Sequence, residues 1–249
     1  MKSIVAVQTR NKITIISLNR PEKRNALNPE MIRELTSLFQ SINSGVILLR
    51  GEGKAFCAGA DLAYMKNMKN FSYEENVQDS LELAKLFRSM VECSVPILCT
   101  AHGAVYGGGI GLVAASDIAI VTEDTQFCFS EVRLGLAPAV ISPYVISRIG
   151  QAKAKKLFLT AEVFSAQEAL EFNLADNVSE TVEEMEKESI ALAELMLKNG
   201  QEAMKAVKKM PGLFPVSDER EKELAELIAS LRISKEAQLR MSNFLKSAK

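Results

Sequence analysis

Residues 96–121 read PILCTAHGAVYGGGIGLVAASDIAIV, and this stretch decides the fold. The apolar runs at residues 96–101 and 117–121 are both typical of buried strands. Between them, glycines at residues 107–111 lead into an apolar segment of about two helical turns. A strand, a helix and a second strand in this order predict a crossover connection. We therefore expect an α/β domain whose sheet is covered on both faces.

The same alternation continues toward the N-terminus. KITIISL (12–18) is rich in β-branched residues and predicts a strand, and VILLR (46–50) predicts a second, wholly apolar one. Between them, Asn28 has the character of an N-cap, and Pro29 suits the first helical position. The helix that they begin has one apolar face, formed by residues at helical spacing: Met31, Ile32, Leu35, Leu38, Phe39 and Ile42.

The character of the chain changes near residue 151. Segments such as SAQEALEF, VEEMEKESIALAELMLKN and SDEREKELAELIASLRIS have helical periods. In the last of these, one face combines four apolar residues: Leu224, Leu227, Ile228 and Leu231. We therefore predict two regions, a core over residues 1–190 and a mainly helical region over residues 191–249.

The composition indicates one soluble domain of ordinary size. Of the 249 residues, 47% are hydrophobic and 24% are charged, and the formal net charge is −1. Without a basic field, nucleic-acid binding is not expected. No apolar run is long enough to span a membrane, and residues 1–20 lack the apolar core and cleavage site of a signal peptide. We therefore expect a cytoplasmic protein.

The cysteines and the histidine do not indicate a metal site. The 4 cysteines form no CxxC pair, which argues against zinc and favours free, buried thiols: Cys57, Cys93, Cys99 and Cys128. The single histidine, His102, lies in an apolar stretch, where a structural role is commoner than a catalytic one.

Three interpretations of the glycine stretch compete. Residues 109–114 fit the dinucleotide pattern G-x-G-x-x-A, but the helix is short and the motif is not in the first βα turn. The glycines also allow the helix to pack tightly against the sheet. The third interpretation is an oxyanion site, because a helix N-terminus exposes unpaired N–H groups and glycines allow a carbonyl to approach them.

An oxyanion site needs a second donor and an acid–base group, and the chain offers a candidate for each. KAFCAGADL (54–62) is a loop of small residues that follows a predicted strand. Glu131 lies among apolar residues in FCFSEVRLGLAPA (127–139), and burial would raise its pKa toward the range in which it can both take and give a proton. The alternative for Glu131 is a surface glutamate at a strand edge.

Together, these motifs resemble the crotonase superfamily of enoyl-CoA hydratases and isomerases, especially bacterial hydratases of the methylglutaconyl-CoA kind. The resemblance covers roughly residues 5–180 and rests on five segments in the family's order: LNRPEKRNAL, GKAFCAGADL, AHGAVYGGGIGLVAASDIAI, FSEVRLGLAPA and LFLTAEVFSAQEALEFNLAD. It implies a spiral of β-β-α units with a C-terminal helical region that builds homotrimers or homohexamers.

The resemblance also implies a ligand and a set of site residues. The substrate would be an acyl-CoA thioester, with no separate cofactor and no metal. The thioester oxygen would lie between the N–H groups of Ala60 and Gly108, and Glu131 would be the catalytic acid–base. The residues implied in substrate binding are Arg24, Ala26, Ala58, Asp61, Leu62 and Tyr106.

The chain departs from the two-glutamate pattern of the hydratases at one position. Glu131 matches one glutamate, whereas the other falls on Gly111. We favour reversible hydration of a 2-enoyl-CoA, with the missing side chain leaving room for a branched acyl group. A Δ3-Δ2 enoyl-CoA isomerase, which needs a single base, is the alternative. An acyl-CoA binder without catalytic activity is a third possibility.

Overall fold

The computed structural model describes residues 3–68 and 70–210, and individual positions between 224 and 243. Its strands are β1 (Val5–Arg10), β2 (Ile13–Leu18), β3 (Val46–Gly51), β4 (Ile97–Ala101), β5 (Ala104–Tyr106), β6 (Ile118–Thr122), β7 (Gln126–Cys128), β8 (Val163–Ser165) and β9 (Asn177–Ser179). Its α-helices are α1 (Pro29–Ser41), α2 (Leu62–Met68), α3 (Tyr73–Glu92), α4 (Gly108–Ala115), α5 (Ser142–Ile149), α6 (Gln151–Thr160), α7 (Ala166–Glu171), α8 (Val182–Leu197) and α9 (Gln201–Lys209).

Two sheets organise the fold. The larger has the strand order β1-β2-β3-β4-β6-β9, in which β1 and β2 are antiparallel and the other pairs are parallel. The smaller has the order β5-β7-β8. Residues 97–122 form β4, β5, α4 and β6 in that order. β4 and β6 pair in parallel, and the chain that connects them contains α4. The predicted α/β crossover is thereby confirmed.

Apolar side chains cover both faces of the larger sheet, as the continuous hydrophobic strands predict. One face packs against α1, α3 and α4 in the main core, where Phe39, Phe87 and Ile110 are buried. On the other face, α8 contacts β3, β4 and β6, and Ala193 packs with Leu48 and Leu98. The sheet is thus held rigid beneath the loops that leave its strand ends.

Local sequence signals place the longer elements well. Asn28 is the N-cap of α1, and its side chain accepts a hydrogen bond from the N–H of Met31. The predicted strands at 12–18, 46–50, 96–101 and 117–121 correspond to β2, β3, β4 and β6. Neither β1 nor the three-residue strands β5, β7, β8 and β9 was predicted.

The described part of the region after residue 151 is mainly helical, in agreement with its sequence periods. Leu224 and Ile228 are helical, whereas Leu227 and Leu231 lie outside the described residues. The division into regions 1–190 and 191–249 stays a prediction. Among the described helices, none is both long enough and apolar enough to cross a membrane.

Candidate active site

Three neighbouring chain segments build the candidate site. Residues 24–27, 57–60 and 104–108 follow the carboxyl ends of β2, β3 and β4, which are adjacent in the sheet. Backbone hydrogen bonds join them, from Ala58 N to Arg24 O at 3.0 Å and from Tyr106 N to Cys57 O at 3.0 Å. Ligands commonly bind beyond the carboxyl ends of parallel strands, so this is a place where a site is expected.

Two backbone N–H groups face outward from adjacent segments. Cys57 pairs with Val105 in a parallel bridge, and Ala60 and Gly108 each lie three residues further along these two segments. The carbonyl of Gly59 accepts from Leu27 N at 2.7 Å. Because the C=O and N–H of a trans peptide point in opposite directions, the N–H of Ala60 points away from Leu27.

The helix α4 orients the second N–H in the same way. The carbonyl of Gly107 accepts from Ile110 N at 2.9 Å, so the N–H of Gly108 points out of the helix end. Within the described part of the chain, neither Ala60 N nor Gly108 N has a hydrogen-bond acceptor. Two unpaired donors on adjacent segments, one at the positive end of a helix, are groups of the kind that can stabilise a developing oxyanion.

Gly107 makes the turn that brings an acid to these donors. Its φ of 49° and ψ of −116° lie in a region that residues with a side chain rarely adopt. A Cβ added at Gly107 would lie 3.1 Å from Oε1 of Glu131. The backbone must therefore lack a side chain there, both to turn and to leave space for the carboxyl group next to Gly108.

Glu131 is a half-buried acid without a side-chain partner. It begins a short 3-10 helix (Glu131–Leu134) that follows β7. Its Oε2 is buried and, among the described residues, has no hydrogen-bond partner. Burial raises the pKa of Glu131 above its ordinary value of 4.5, although a backbone hydrogen bond partly opposes this. Its position is not that of a glutamate at a strand edge, and its properties suit proton transfer.

The raised pKa predicts a pH-dependent effect of Glu131→Gln on stability. Ionised Glu131 is penalised in the folded state, so wild-type stability falls as pH rises from about 4.5 through the raised pKa. Glutamine has no such penalty. We expect the melting temperature of the variant to exceed that of wild type at pH 7 and to approach it at pH 4. An equal difference at both pH values would contradict this expectation.

Gly111 faces the core. A Cβ added there would lie 2.5 Å from Cγ2 of Ile141 and 2.7 Å from Cζ of Phe87. Both neighbouring side chains are buried, with exposed fractions of 3% for Ile141 and 0% for Phe87. The expectation that Gly111 leaves room for a branched acyl group is therefore wrong, because hydrocarbon side chains occupy that space.

This packing predicts that Gly111→Ala destabilises the fold, and more so while Phe87 is present. Overpacking costs about 1–3 kcal/mol, whereas alanine in place of a helical glycine gains roughly 0.5–1 kcal/mol. We expect a lower free energy of unfolding from urea titration in the wild-type background. In a Phe87→Ala background, the same change should cost less, because only the contact with Cγ2 of Ile141 at 2.5 Å remains. The same loss in both backgrounds would show that Phe87 does not cause the crowding.

The residues implied in substrate binding divide into two groups. Arg24, Ala26, Ala58 and Tyr106 lie on the three joined segments, and Arg24 is exposed, as contact with a large polar ligand would need. Leu62, at the start of α2, is 75% exposed. Asp61 does not belong with them, because it is 5% exposed and both of its carboxylate oxygens already accept hydrogen bonds within the protein.

The remaining polar candidates have structural positions. His102 is buried, with Nε2 at 2.8 Å from the carbonyl oxygen of Gly53. The four cysteines are free and buried, in agreement with the prediction. Over residues 3–68 and 70–210 and the described positions beyond, no group of three or more His, Cys, Asp or Glu side chains could hold a metal.

Comparison with known proteins identifies the family of the chain. The family model for enoyl-CoA hydratase/isomerase matches residues 8–228. A Thermus thermophilus protein assigned as an enoyl-CoA hydratase is 33% identical over 80% of this chain and 79% of its own length. The mitochondrial Δ(3,5)-Δ(2,4)-dienoyl-CoA isomerase of Mus musculus is 30% identical over 77% of this chain and 63% of its own length.

A solved structure extends the likeness to the whole fold. A Legionella pneumophila protein described as an enoyl-CoA hydratase/isomerase (crotonase) is 38% identical, with a TM-score of 0.90 over 98% of this chain and 97% of its own. The chain spans from 54% to 79% of the length of the first four curated relatives that it matches.

The fold and the candidate site together define a class, an α/β protein with two unpaired backbone donors and a half-buried acid. Within that class, the chain belongs to the enoyl-CoA hydratase/isomerase family. The spiral α/β fold expected from its motifs is confirmed.

Proposed function

We propose that the chain catalyses proton transfer on enoyl-CoA thioesters, with isomerisation of a 3-enoyl-CoA to a 2-enoyl-CoA as its principal reaction. The observation that carries this proposal is the contrast between the surroundings of Glu131 and those of Gly111. Glu131 lies next to Gly107, whereas the Gly111 position, one helical turn further along α4, faces Phe87 and Ile141. A shift of one proton between two carbons needs only one base.

The proposed mechanism uses each part of the site. The thioester oxygen accepts hydrogen bonds from Ala60 N and Gly108 N. The Glu131 carboxylate takes a proton from C2, and the electron pair of that C–H bond forms a C1–C2 double bond as the carbonyl electrons move to the thioester oxygen, which gives a dienolate that keeps its C3–C4 double bond. The donors stabilise the negative charge on its oxygen. Protonated Glu131 then returns the proton to C4, which leaves a C2–C3 double bond and an ionised Glu131.

The half-buried environment of Glu131 supports this role. A base that must release its proton in the next step works best with a pKa above that of a solvated carboxylate. Burial raises the pKa of Glu131 in the required direction. Its Oε2 has no partner within the described residues, so no hydrogen bond of that atom has to be broken before it takes a proton.

Hydration of a 2-enoyl-CoA is the second candidate, because the Thermus thermophilus relative carries the name of a hydratase. Here Glu131 would activate water for attack at C3 and then protonate C2. A 3-methylglutaconyl group, the branched substrate suggested by local motifs, has weaker support. This acyl group carries a carboxylate, for which a cation would be the natural partner. Arg133, the cation nearest to Glu131 in the sequence, donates from Nη2 to Ala161 O at 2.5 Å instead.

A panel of three thioesters distinguishes these activities. Purified protein is incubated with 3-hexenoyl-CoA, crotonyl-CoA and 3-methylglutaconyl-CoA, while the absorbance of the conjugated thioester is followed. Isomerisation raises the absorbance with 3-hexenoyl-CoA, and hydration lowers it with either of the others. We expect the fastest change with 3-hexenoyl-CoA. Faster loss with crotonyl-CoA would favour the hydratase, and binding without turnover of any of them would favour a binder.

The assembly and the location of the protein are further proposals. The resemblance implies a homotrimer or homohexamer, and exposed apolar side chains beside Glu131 support a covered surface there. Leu134 is 59% exposed and Leu136 is 57% exposed. The cytoplasmic location stays a prediction.

A further inference from the structure

A buried ion pair lies directly behind the donor Ala60. Nη2 of Arg20 is 2.6 Å from Oδ2 of Asp61, and the two side chains are 12% and 7% exposed. Buried ion pairs contribute little net stability, because the loss of hydration offsets the attraction. The position of this pair next to a site donor therefore points to a role other than general stabilisation.

Asp61 fixes the backbone on both sides of itself. Its Oδ1 accepts hydrogen bonds from Ala63 N at 2.8 Å and Tyr64 N at 3.2 Å, which caps the start of α2. Its own N–H donates to Leu27 O at 2.9 Å. Since Leu27 N also donates to Gly59 O, Leu27 bonds to the residue before Ala60 and to the residue after it. The orientation of the Ala60 peptide depends on these bonds.

Arg20 joins the same loop to the neighbouring segment. Its Nη1 donates to Ala26 O at 2.7 Å, so one guanidinium binds both segments that flank the site. The side chain of Asn25, which is fully buried, accepts from Arg20 N and donates to the carbonyls of Glu52 and Ala55. Arg20 is thereby held by contacts on its backbone as well as on its side chain.

Asp61 is ionised at neutral pH. Burial by itself raises the pKa of its carboxyl group, but hydrogen bonds from Arg20, Tyr64 and Ala63 bring the pKa below its ordinary value of 3.8. An unpaired carboxylate next to an oxyanion site would repel the developing negative charge. The guanidinium of Arg20 cancels that charge.

We propose that Arg20 and Asp61 are positioning residues, which hold the N–H of Ala60 toward the thioester oxygen and keep its surroundings electrically neutral. This inference deepens the proposed function and rests on it. Neither side chain contacts the substrate in this proposal. Their loss is therefore expected to lower kcat more than it raises KM.

The test compares Asp61→Asn with Arg20→Lys and Arg20→Met. Asparagine keeps an oxygen for Ala63 N and Tyr64 N but loses the ion pair. We expect Asp61→Asn and Arg20→Met to lower kcat roughly 10- to 100-fold, the effect of a misplaced catalytic group, with little change in KM. Arg20→Lys, which keeps the charge, should retain more activity than Arg20→Met.

A spectroscopic readout separates positioning from stability. Each change is also made in a Glu131→Gln background, and 2,4-hexadienoyl-CoA is added as a slender conjugated thioester. Donors that polarise its carbonyl shift its absorbance to longer wavelength. We expect the shift with Glu131→Gln alone and a smaller one after Asp61→Asn or Arg20→Met is added.

The Arg148–Asp176 pair provides a matched control. Its atoms are 3.0 Å apart, Asp176 also accepts from Ala119 N, and Arg148 also donates to Ser116 O. Asp176→Asn removes a more exposed ion pair, with side chains 15% and 43% exposed, away from the donors, so it should change neither kcat nor the absorbance shift.

The possible results are distinguishable. A normal kcat and a full absorbance shift in Asp61→Asn and Arg20→Met would overturn the inference, as would a raised KM with unchanged kcat, which indicates substrate contact. Absence of any shift with Glu131→Gln alone would also overturn it, because no polarising donor would exist. A shift without turnover of any enoyl-CoA by the wild-type protein would contradict only the proposed function.

Discussion

Replacing Glu131 by glutamine is expected to lower kcat about 100- to 10,000-fold, the usual contribution of a general acid–base. The amide has nearly the shape of the carboxyl group, so the turn at Gly107 and the donors Ala60 and Gly108 should be unchanged. Binding of the CoA thioester should therefore persist. Turnover of 3-hexenoyl-CoA and calorimetric titration with CoA measure the two quantities separately.

The exposed acid Glu123 supplies the matched control for this variant. It lies in the turn between β6 and β7, and Glu123→Gln makes the same chemical change outside the site. We expect wild-type kcat and CoA affinity from it. Near-normal turnover in Glu131→Gln would show that another group moves the proton. Loss of CoA affinity together with turnover would show that Glu131 holds the ligand or the fold instead.

The sequence predicts the parts of this fold that are long or have strong local signals. The strand around residues 12–18 is rich in β-branched residues, the strand around 46–50 is mainly apolar, and Asn28 with Pro29 marks the start of α1. The strands β5, β7, β8 and β9 have three residues each, which is too short for a period to appear. Their pairing depends on contacts with distant segments, and no local pattern records those contacts.

The residues of the candidate site also divide into those that the sequence predicts and those that it does not. Gly108, Ala60 and Glu131 are predicted as site residues because their motifs resemble those of a known family. Phe87 and Ile141 were not found, since their apolar positions in α3 and before α5 are indistinguishable in sequence from ordinary core positions. The sequence also does not distinguish a glycine at position 111 that opens a space from one that packs tightly. Only the folded arrangement shows that it packs tightly.

Replacing Gly108 by proline should lower kcat roughly 100- to 1,000-fold, the effect of losing one oxyanion donor. Gly108 is the first residue of α4, a position where proline fits the helix because its N–H has no helical partner. The change therefore removes the proposed donor with little damage to α4. The proline ring also occupies the space that the thioester oxygen would enter, so KM should rise as well.

Gly108→Ala is the matched control, because it adds a Cβ and keeps the N–H. In both variants this Cβ would lie 2.9 Å from Cδ1 of Leu27, the end of a side chain that can move. The two variants thus share the crowding and differ in the donor. We expect Gly108→Ala to retain most of its turnover and Gly108→Pro to lose it, at similar melting temperatures. Equal losses of turnover would assign the effect to crowding against Leu27, and the N–H of Gly108 would then not be a donor to the substrate.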